Sequence, residues 1–188
     1  FQHHRAPALD LDGLRHTHSI YTPVATPEDA NENFDVITYE KGASVVRMIE
    51  GYLGKATFRR GVRRYIQRHR ESNAVASDLW RALEEASGEN IESIARTWIE
   101  EPGFPVVTLR MRQLRGQAVL ELAQERFLEI PLKGTGQRRP KWPIPWVGRI
   151  GRSTQKHLLT GRREQIPVTI RPNSIVYGNS EEIGFFHV

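Results

Sequence analysis

Phe34-Asp35-Val36-Ile37-Thr38-Tyr39-Glu40-Lys41-Gly42-Ala43-Ser44-Val45-Val46-Arg47-Met48-Ile49 is the stretch on which the reading of this chain turns. Val45, Met48, Ile49 and Tyr52 recur at helical spacing, and Ala43, Val46 and Leu53 widen the apolar stripe. That pattern predicts a helix buried on more than one side. Gly54 stands where a C-terminal cap glycine belongs. Gly42, early in the helix, costs about 1 kcal/mol against alanine, so its presence predicts a close neighbour against the backbone. Asp35 is placed to cap the helix, and Glu40 and Lys41 read as salt-bridged surface residues. On spacing alone Tyr39 is an ordinary packed tyrosine with a satisfied hydroxyl.

Outward from this helix the same periodicity continues. Residues 56–70 form an amphipathic helix, with Phe58, Val62, Tyr65, Ile66 and His69 inward and arginines on the wet face. Ser77 is an N-cap for a helix carrying Leu79, Leu83 and Ala86, with Gly88 past its end. Asn90 caps the next, where Ile91, Ile94, Ala95 and Trp98 repeat; Trp80 and Trp98 read as core anchors. Short connections between such helices predict an antiparallel cluster. Residues 1–33 are weakly patterned: a helix end and a loop around Pro7, then a Pro-, Glu-, Asp- and Asn-rich loop over 23–33.

The period changes at Pro105. Val107, Leu109 and Met111 alternate with polar neighbours, Arg115-Gly116 marks a turn, and Ala118, Leu120 and Leu122 follow. Further strands are predicted at 142–150, 155–160, 166–170 and 183–188, punctuated by Gly134, Gly136, Pro140, Gly151, Gly161 and Pro172. Pro143, Pro145 and Pro167 are assigned to strand starts or edges. The fold class is thus α+β: residues 1–104 an antiparallel helical cluster, residues 105–188 a small all-β sandwich.

Composition narrows the function classes. With 38% hydrophobic and 26% charged residues over 188 positions, the chain is that of a globular protein of one large or two small domains. No apolar run approaches the roughly 20 residues that span a bilayer. The absence of cysteine excludes disulfides and thiolate metal sites, and fits a reducing compartment such as the cytoplasm. The net charge of +5 raises a nucleic-acid reading, carried by the arginine face of 59–70 and a basic loop over 133–141. No aromatic-interleaved or recognisable nucleic-acid motif accompanies either, which favours a solvated face. His16 and His18, at i and i+2, could share a metal if a third ligand came from His3 or His4. The chain begins with Phe1, read as an excision point within a longer protein.

The wording of the opening stretch goes beyond periodicity. Asp-Val-Ile-Thr-Tyr-Glu-Lys-Gly-Ala-Ser-Val-Val-Arg-Met-Ile resembles the segment that follows the zinc site in the aminopeptidase N family of zinc metallopeptidases. The resemblance implies that Tyr39, the tyrosine of a Tyr-x-Lys-Gly element, is catalytic and binds the oxyanion of the tetrahedral intermediate. It extends along nearly the whole chain: His18 matches the histidine of a Ser/Thr-His-Pro-Ile-like element, with Ser19 in place of proline. Ser72-Asn73-Ala74, Ser77-Asp78-Leu79-Trp80, Thr97-Trp98 and Pro102-Gly103-Phe104-Pro105-Val106-Val107 are similar to family phrases. So are Glu125-Arg126-Phe127, Lys141-Trp142-Pro143-Ile144-Pro145 and Gly184-Phe185-Phe186-His187-Val188, where His187 replaces the usual arginine.

What the family needs for metal chemistry is not in these residues. None of the seven histidines is followed by glutamate, so no His-Glu-x-x-His motif exists. Neither methionine opens the Gly-x-Met-Glu-Asn stretch that anchors the substrate amino terminus in the family. The resemblance therefore implies a piece of an aminopeptidase acting on peptides: the C-terminal half of a thermolysin-like catalytic domain plus a β-sandwich, missing the N-terminal half and its zinc. A non-catalytic scaffold descended from that family is the alternative. No Gly-x-Ser-x-Gly elbow, Walker loop or dinucleotide fingerprint competes.

Overall fold

The computed structural model describes residues 2–32, 34–130, 140–170 and 174–188. Among them, helices come first and strands second, in an α+β arrangement. The helices are α1 (Gln2–Asp12), α2 (Pro27–Glu32), α3 (Gly42–Leu53), α4 (Lys55–Arg68), α5 (Ala76–Ser87) and α6 (Ile91–Glu100). A π-helical turn, Ile37–Lys41, runs straight into α3.

Each helix follows from its apolar stripe, with differences that have local causes. Arg5, Ala8, Leu9 and Asp12 are buried along one side of α1. That i, i+3, i+4, i+7 face carries the helix through Pro7, where the sequence predicted a break. The predicted loop over 23–33 contains α2, because Thr26 and Asp29 form a reciprocal cap. Thr26 N–H donates to Asp29 Oδ2 (2.9 Å), and Asp29 N–H donates to Thr26 Oγ1 (3.2 Å). Pro27 fills the first helical position, where a missing N–H costs nothing.

Along α3 Ser44, Val45, Met48 and Ile49 are buried and Ala43 is exposed, a narrower stripe than predicted. Gly54 ends it at φ +85°, and Lys156 from the strand region donates to the last carbonyls, Tyr52 O (2.5 Å) and Gly51 O (3.2 Å). The close neighbour expected at Gly42 is not found: a Cβ there would meet nothing within 4 Å among the described residues. The tight approach is at Gly61 on α4, where a Cβ would stand 3.0 Å from the Cα of Leu83 on α5. Phe58, Val62, Tyr65 and His69 turn inward around that crossing, whereas Ile66 is exposed. Helix α5 starts one residue before the predicted Ser77 cap, because the Asp78 carboxylate accepts the Val75 N–H (3.0 Å). Asn90 caps α6 as predicted, accepting from Ser93 N–H (3.1 Å).

The strands are β1 (Pro105–Leu114), β2 (Gln117–Arg126), β3 (Ile144–Ile150), β4 (Ser153–Leu159), β5 (Arg163–Pro167) and β6 (Val176–Tyr177). They form two three-stranded antiparallel sheets, ordered β1-β2-β5 and β4-β3-β6. Arg115 and Gly116, both at positive φ, make the two-residue hairpin between β1 and β2. Pro145 lies inside β3, but β6 pairs only with Arg149 and Ile150, so its missing donor faces an open side. The strand predicted at 166–170 begins earlier, as β5. The predicted strand at 183–188 is instead irregular, with one bridge from His187 to Val106. Phe185 and Phe186 are both buried there, and consecutive buried side chains do not suit a one-faced strand. Gly134, Gly136, Pro172 and residues 133–139 of the basic loop lie outside the described residues.

The phrases that seemed scattered in sequence meet where helices give way to strands. Phe104 stacks on Phe127 at 5.1 Å between ring centroids, and Phe185 meets Phe104 edge-on at 5.5 Å. Trp98 touches both Trp142 (6.1 Å) and Phe185 (6.5 Å) and donates its indole N–H to Pro143 O (2.9 Å). His187 packs edge-on against Phe127 and Phe104. This cluster fastens the strand region to α6.

Candidate active site

Tyr39 sits in the middle of the π-turn and is 57% exposed, with Phe34 tilted against it at 5.8 Å. A π-turn is uncommon and widens the helix by one residue, which re-aims the side chains it carries. Here Ile37 and Lys41 point into the protein while Tyr39 points out.

The front of the turn is held by its own carboxylate. Asp35 Oδ1 accepts the Thr38 N–H (2.8 Å), and the Asp35 carbonyl accepts the Tyr39 N–H (3.1 Å). The predicted capping role of Asp35 is therefore met, on the π-turn rather than on α3 itself. Its other oxygen pairs with His18 Nε2 at 2.5 Å, and His18 Nδ1 lies 2.8 Å from its neighbour's carbonyl, Ser19 O. An acceptor opposite each ring nitrogen favours the cationic imidazole, which donates through both. Desolvation lowers the His18 pKa, but the Ser19 carbonyl and the Asp35 carboxylate outweigh it and raise the value above 6.5. Asp35 shifts the opposite way: burial raises it, and the Thr38 N–H with His18 brings it below the ordinary range.

The back of the turn is held by Lys41, and here the expectation of a surface residue fails. The Lys41 side chain is fully buried, and Nζ ion-pairs with the equally buried Asp12 Oδ2 at 2.9 Å. It also donates to Glu101 O (3.1 Å) and Gly103 O (3.0 Å), while its contact with Asp12 Oδ2 is an ion pair without hydrogen-bond geometry. Burial pushes the Lys41 pKa down, and Asp12 works against that shift. Asp12 is in turn fixed by the Gly103 N–H (2.8 Å) and the Thr17 hydroxyl (2.7 Å), both to Oδ1. The ion pair thus holds Gly103 on both sides of its α-carbon, through its N–H and its carbonyl. Gly103 has φ +86°, and a Cβ on it would lie 2.7 Å from Arg126 Nε, so no other residue fits without strain. No spacing in the sequence signals this pairing, because three of the four further partners of Lys41 and Asp12 are backbone groups of a distant loop.

The other charged candidates are occupied differently. His16 and His18 are both exposed, and His18 commits its ring to Ser19 and Asp35; the side chains of His3 and His4 lie outside the described ones. Among the described residues no three His, Cys, Asp or Glu side chains converge as a metal site would require. On α4, Arg68 makes a two-pronged pair with Glu85 of α5 (2.7 Å to each oxygen), Arg64 approaches the same carboxylate (3.8 Å), and Arg60 donates to Ala86 O (3.2 Å). No described helix is long and apolar enough to cross a membrane.

The His18–Asp35 pair sets a pH window for this corner of the structure. A raised His18 pKa contributes stability that is complete below about 6.5 and is lost as pH climbs through the raised value. A depressed Asp35 pKa contributes stability above its unfolded value, lost as pH falls through the depressed one. Both side chains are well over a third exposed or close to it, so the effect is modest. Unfolding midpoints of the complete protein, followed against pH, should fall above pH 7 more steeply than those of His18→Gln. Superimposable profiles would show that the pair contributes nothing.

The peptidase family M1 domain model matches residues 1–98, just over half of the chain, the part that holds the helices and the turn carrying Tyr39 but none of the strands. The chain belongs to peptidase family M1. Among curated relatives it is similar to tricorn protease-interacting factor F2 of Thermoplasma acidophilum, 37% identical over 88% of this chain and 20% of that protein. It is likewise similar to the puromycin-sensitive aminopeptidase of Caenorhabditis elegans, 34% identical over 97% of this chain and 20% of the relative. Aminopeptidase M1 of Arabidopsis thaliana is 41% identical over 73% of this chain and 15% of its own length. The chain thus spans about a fifth or less of the length of these relatives.

Proposed function

We propose that the protein to which this chain belongs is a zinc-dependent aminopeptidase that releases N-terminal residues from peptides, and that Tyr39 supplies its oxyanion-binding phenol. Residues 1–104 are the C-terminal half of the catalytic domain in this reading, and 105–188 a β-sandwich. The observation that carries it is the exposure of Tyr39 in the middle of a turn held in front by Asp35 and behind by the Lys41 side chain. A core tyrosine would be turned inward; this one is presented.

During hydrolysis of a peptide bond the scissile carbonyl gains negative charge on oxygen. A phenol aimed at that oxygen donates a hydrogen bond that strengthens as the charge grows, so it stabilises the transition state more than the substrate. The proton stays on the phenol throughout. Zinc would supply Lewis-acid polarisation in the complete protein, but the described residues of this chain do not form a site for it. This chain alone is accordingly expected to be inactive and to retain no catalytic zinc. The cytoplasm is the compartment proposed, on the absence of cysteine.

The nucleic-acid reading is weaker, because Arg60, Arg64 and Arg68 turn to α5 instead of forming a free phosphate-facing stripe. A scaffold without activity is the remaining rival. The test is hydrolysis of unblocked and N-acetylated peptides by the complete protein, before and after chelation and zinc return. Turnover of the unblocked peptides alone, abolished by chelator and restored by zinc, is expected. A folded complete protein inert toward all of them would establish the scaffold.

A further inference from the structure

We propose that Lys41 is a positioning residue for Tyr39, acting through the buried Asp12 carboxylate and the backbone of Gly103; the inference rests on the reading of Tyr39 as oxyanion donor. The geometry is specific. Lys41 ends the π-turn that Tyr39 heads outward, and the two side chains leave the same five-residue turn in opposite directions. The ion-pair and hydrogen-bond partners of Lys41 Nζ belong to other parts of the fold, the last residue of α1 and the loop between α6 and β1, and Nζ also lies over the Phe185 ring at 6.0 Å. The turn is therefore nailed to two independent segments by one side chain.

A purely stabilising role would not need this chemistry. Taking a lysine and an aspartate wholly out of water is costly, and apolar residues of similar volume often serve stability as well or better. What an ion pair with four further hydrogen bonds supplies is a single geometry. Lys41 satisfies Glu101 O and Gly103 O, Asp12 satisfies Gly103 N–H and the Thr17 hydroxyl, and none of these can slide without leaving a buried polar group unpaired. An apolar contact in the same place would tolerate small shifts. A phenol that must meet an oxygen at hydrogen-bond distance does not, since a misplacement of about 1 Å can cost on the order of 10² in rate.

The junction between helices and strands enters the same lock. Gly103 offers its N–H to Asp12 and its carbonyl to Lys41, while Arg126 of β2 lies against its α-carbon. The seating of the strand unit thereby reaches the turn that carries Tyr39 through one residue, Gly103.

The experiment uses the complete protein and four forms: wild type, Tyr39→Phe, Asp12→Leu with Lys41→Met, and all three substitutions together. Replacing both charges avoids leaving one of them buried and unpaired. The paired variant is expected to lower kcat about 10²-fold, with KM changed less than about threefold. Added to Tyr39→Phe, it should cost nothing further, because the group it positions is already gone. Additive losses, or a folded paired variant with normal kcat, overturn the proposal. If Tyr39→Phe itself retains normal turnover, the reading of Tyr39 fails instead, whatever the paired variant does. Should the buried substitutions prevent folding, Thr17→Val removes one donor from Asp12 at a partly exposed position. It is expected to lower kcat about threefold to tenfold in wild type and not at all in Tyr39→Phe; an equal drop in both backgrounds also overturns the proposal.

Discussion

Replacing Tyr39 by phenylalanine in the complete protein is expected to lower kcat on the order of 10²–10³-fold while leaving KM within a few fold. The substitution removes one oxygen and nothing else. Tyr39 is more than half exposed, so the fold does not depend on its hydroxyl, and the ring keeps its contact with Phe34. The bonds that shape the turn come from Asp35, Thr38 and Lys41, all backbone or neighbouring side chains that phenylalanine leaves in place. A loss confined to kcat would locate the phenol in the transition state, because an interaction made equally with bound substrate would appear in KM. A loss of affinity with kcat preserved would make Tyr39 a substrate-binding residue. Near-normal values for both would remove it from the chemistry.

How far the sequence carries such an argument differs from element to element. The α3 stripe, the Asn90 cap, Gly54 and Gly88 are local signals, and the structure follows them. Helix α2 was equally local: Thr26-Pro27-Glu28-Asp29 holds the cap, the proline and the acidic first turn, yet the abundance of Pro, Asn and Asp made it read as loop. Lys41 belongs to another class. Its acceptors lie on α1 and in a loop far downstream, and two of them are carbonyls that leave no mark on side-chain identity. Flanked by Glu40 and Gly42 it looks like any surface lysine. The π-turn leaves no local signal for a related reason: Gly42, which predicts a close contact, instead follows the residue where the wider turn closes into α3. The Arg5–Phe186 carbonyl bond and the aromatic cluster join segments from opposite ends of the chain, which periodicity cannot pair.

The largest effect on stability is expected at Trp98. It is completely buried on α6, packs against Trp142 and Phe185, and donates to Pro143 O at 2.9 Å. Trp98→Ala removes the indole and leaves a cavity between helices and strands, at a cost of about 3–5 kcal/mol. The stranded Pro143 carbonyl adds to that loss. Trp98→Phe keeps part of the ring packing and loses the N–H, so it should fall between wild type and alanine. Denaturant unfolding of the complete protein, followed by tryptophan fluorescence and by a far-ultraviolet signal, measures both. The two probes should separate in Trp98→Ala if the strand unit loosens before the helices do, since Trp98 and Lys156 are two of the ties between them. An alanine variant within about 1 kcal/mol of wild type would mean that the junction is held elsewhere. The stacked Phe104–Phe127 pair and the Gly103 lock would then be the remaining candidates.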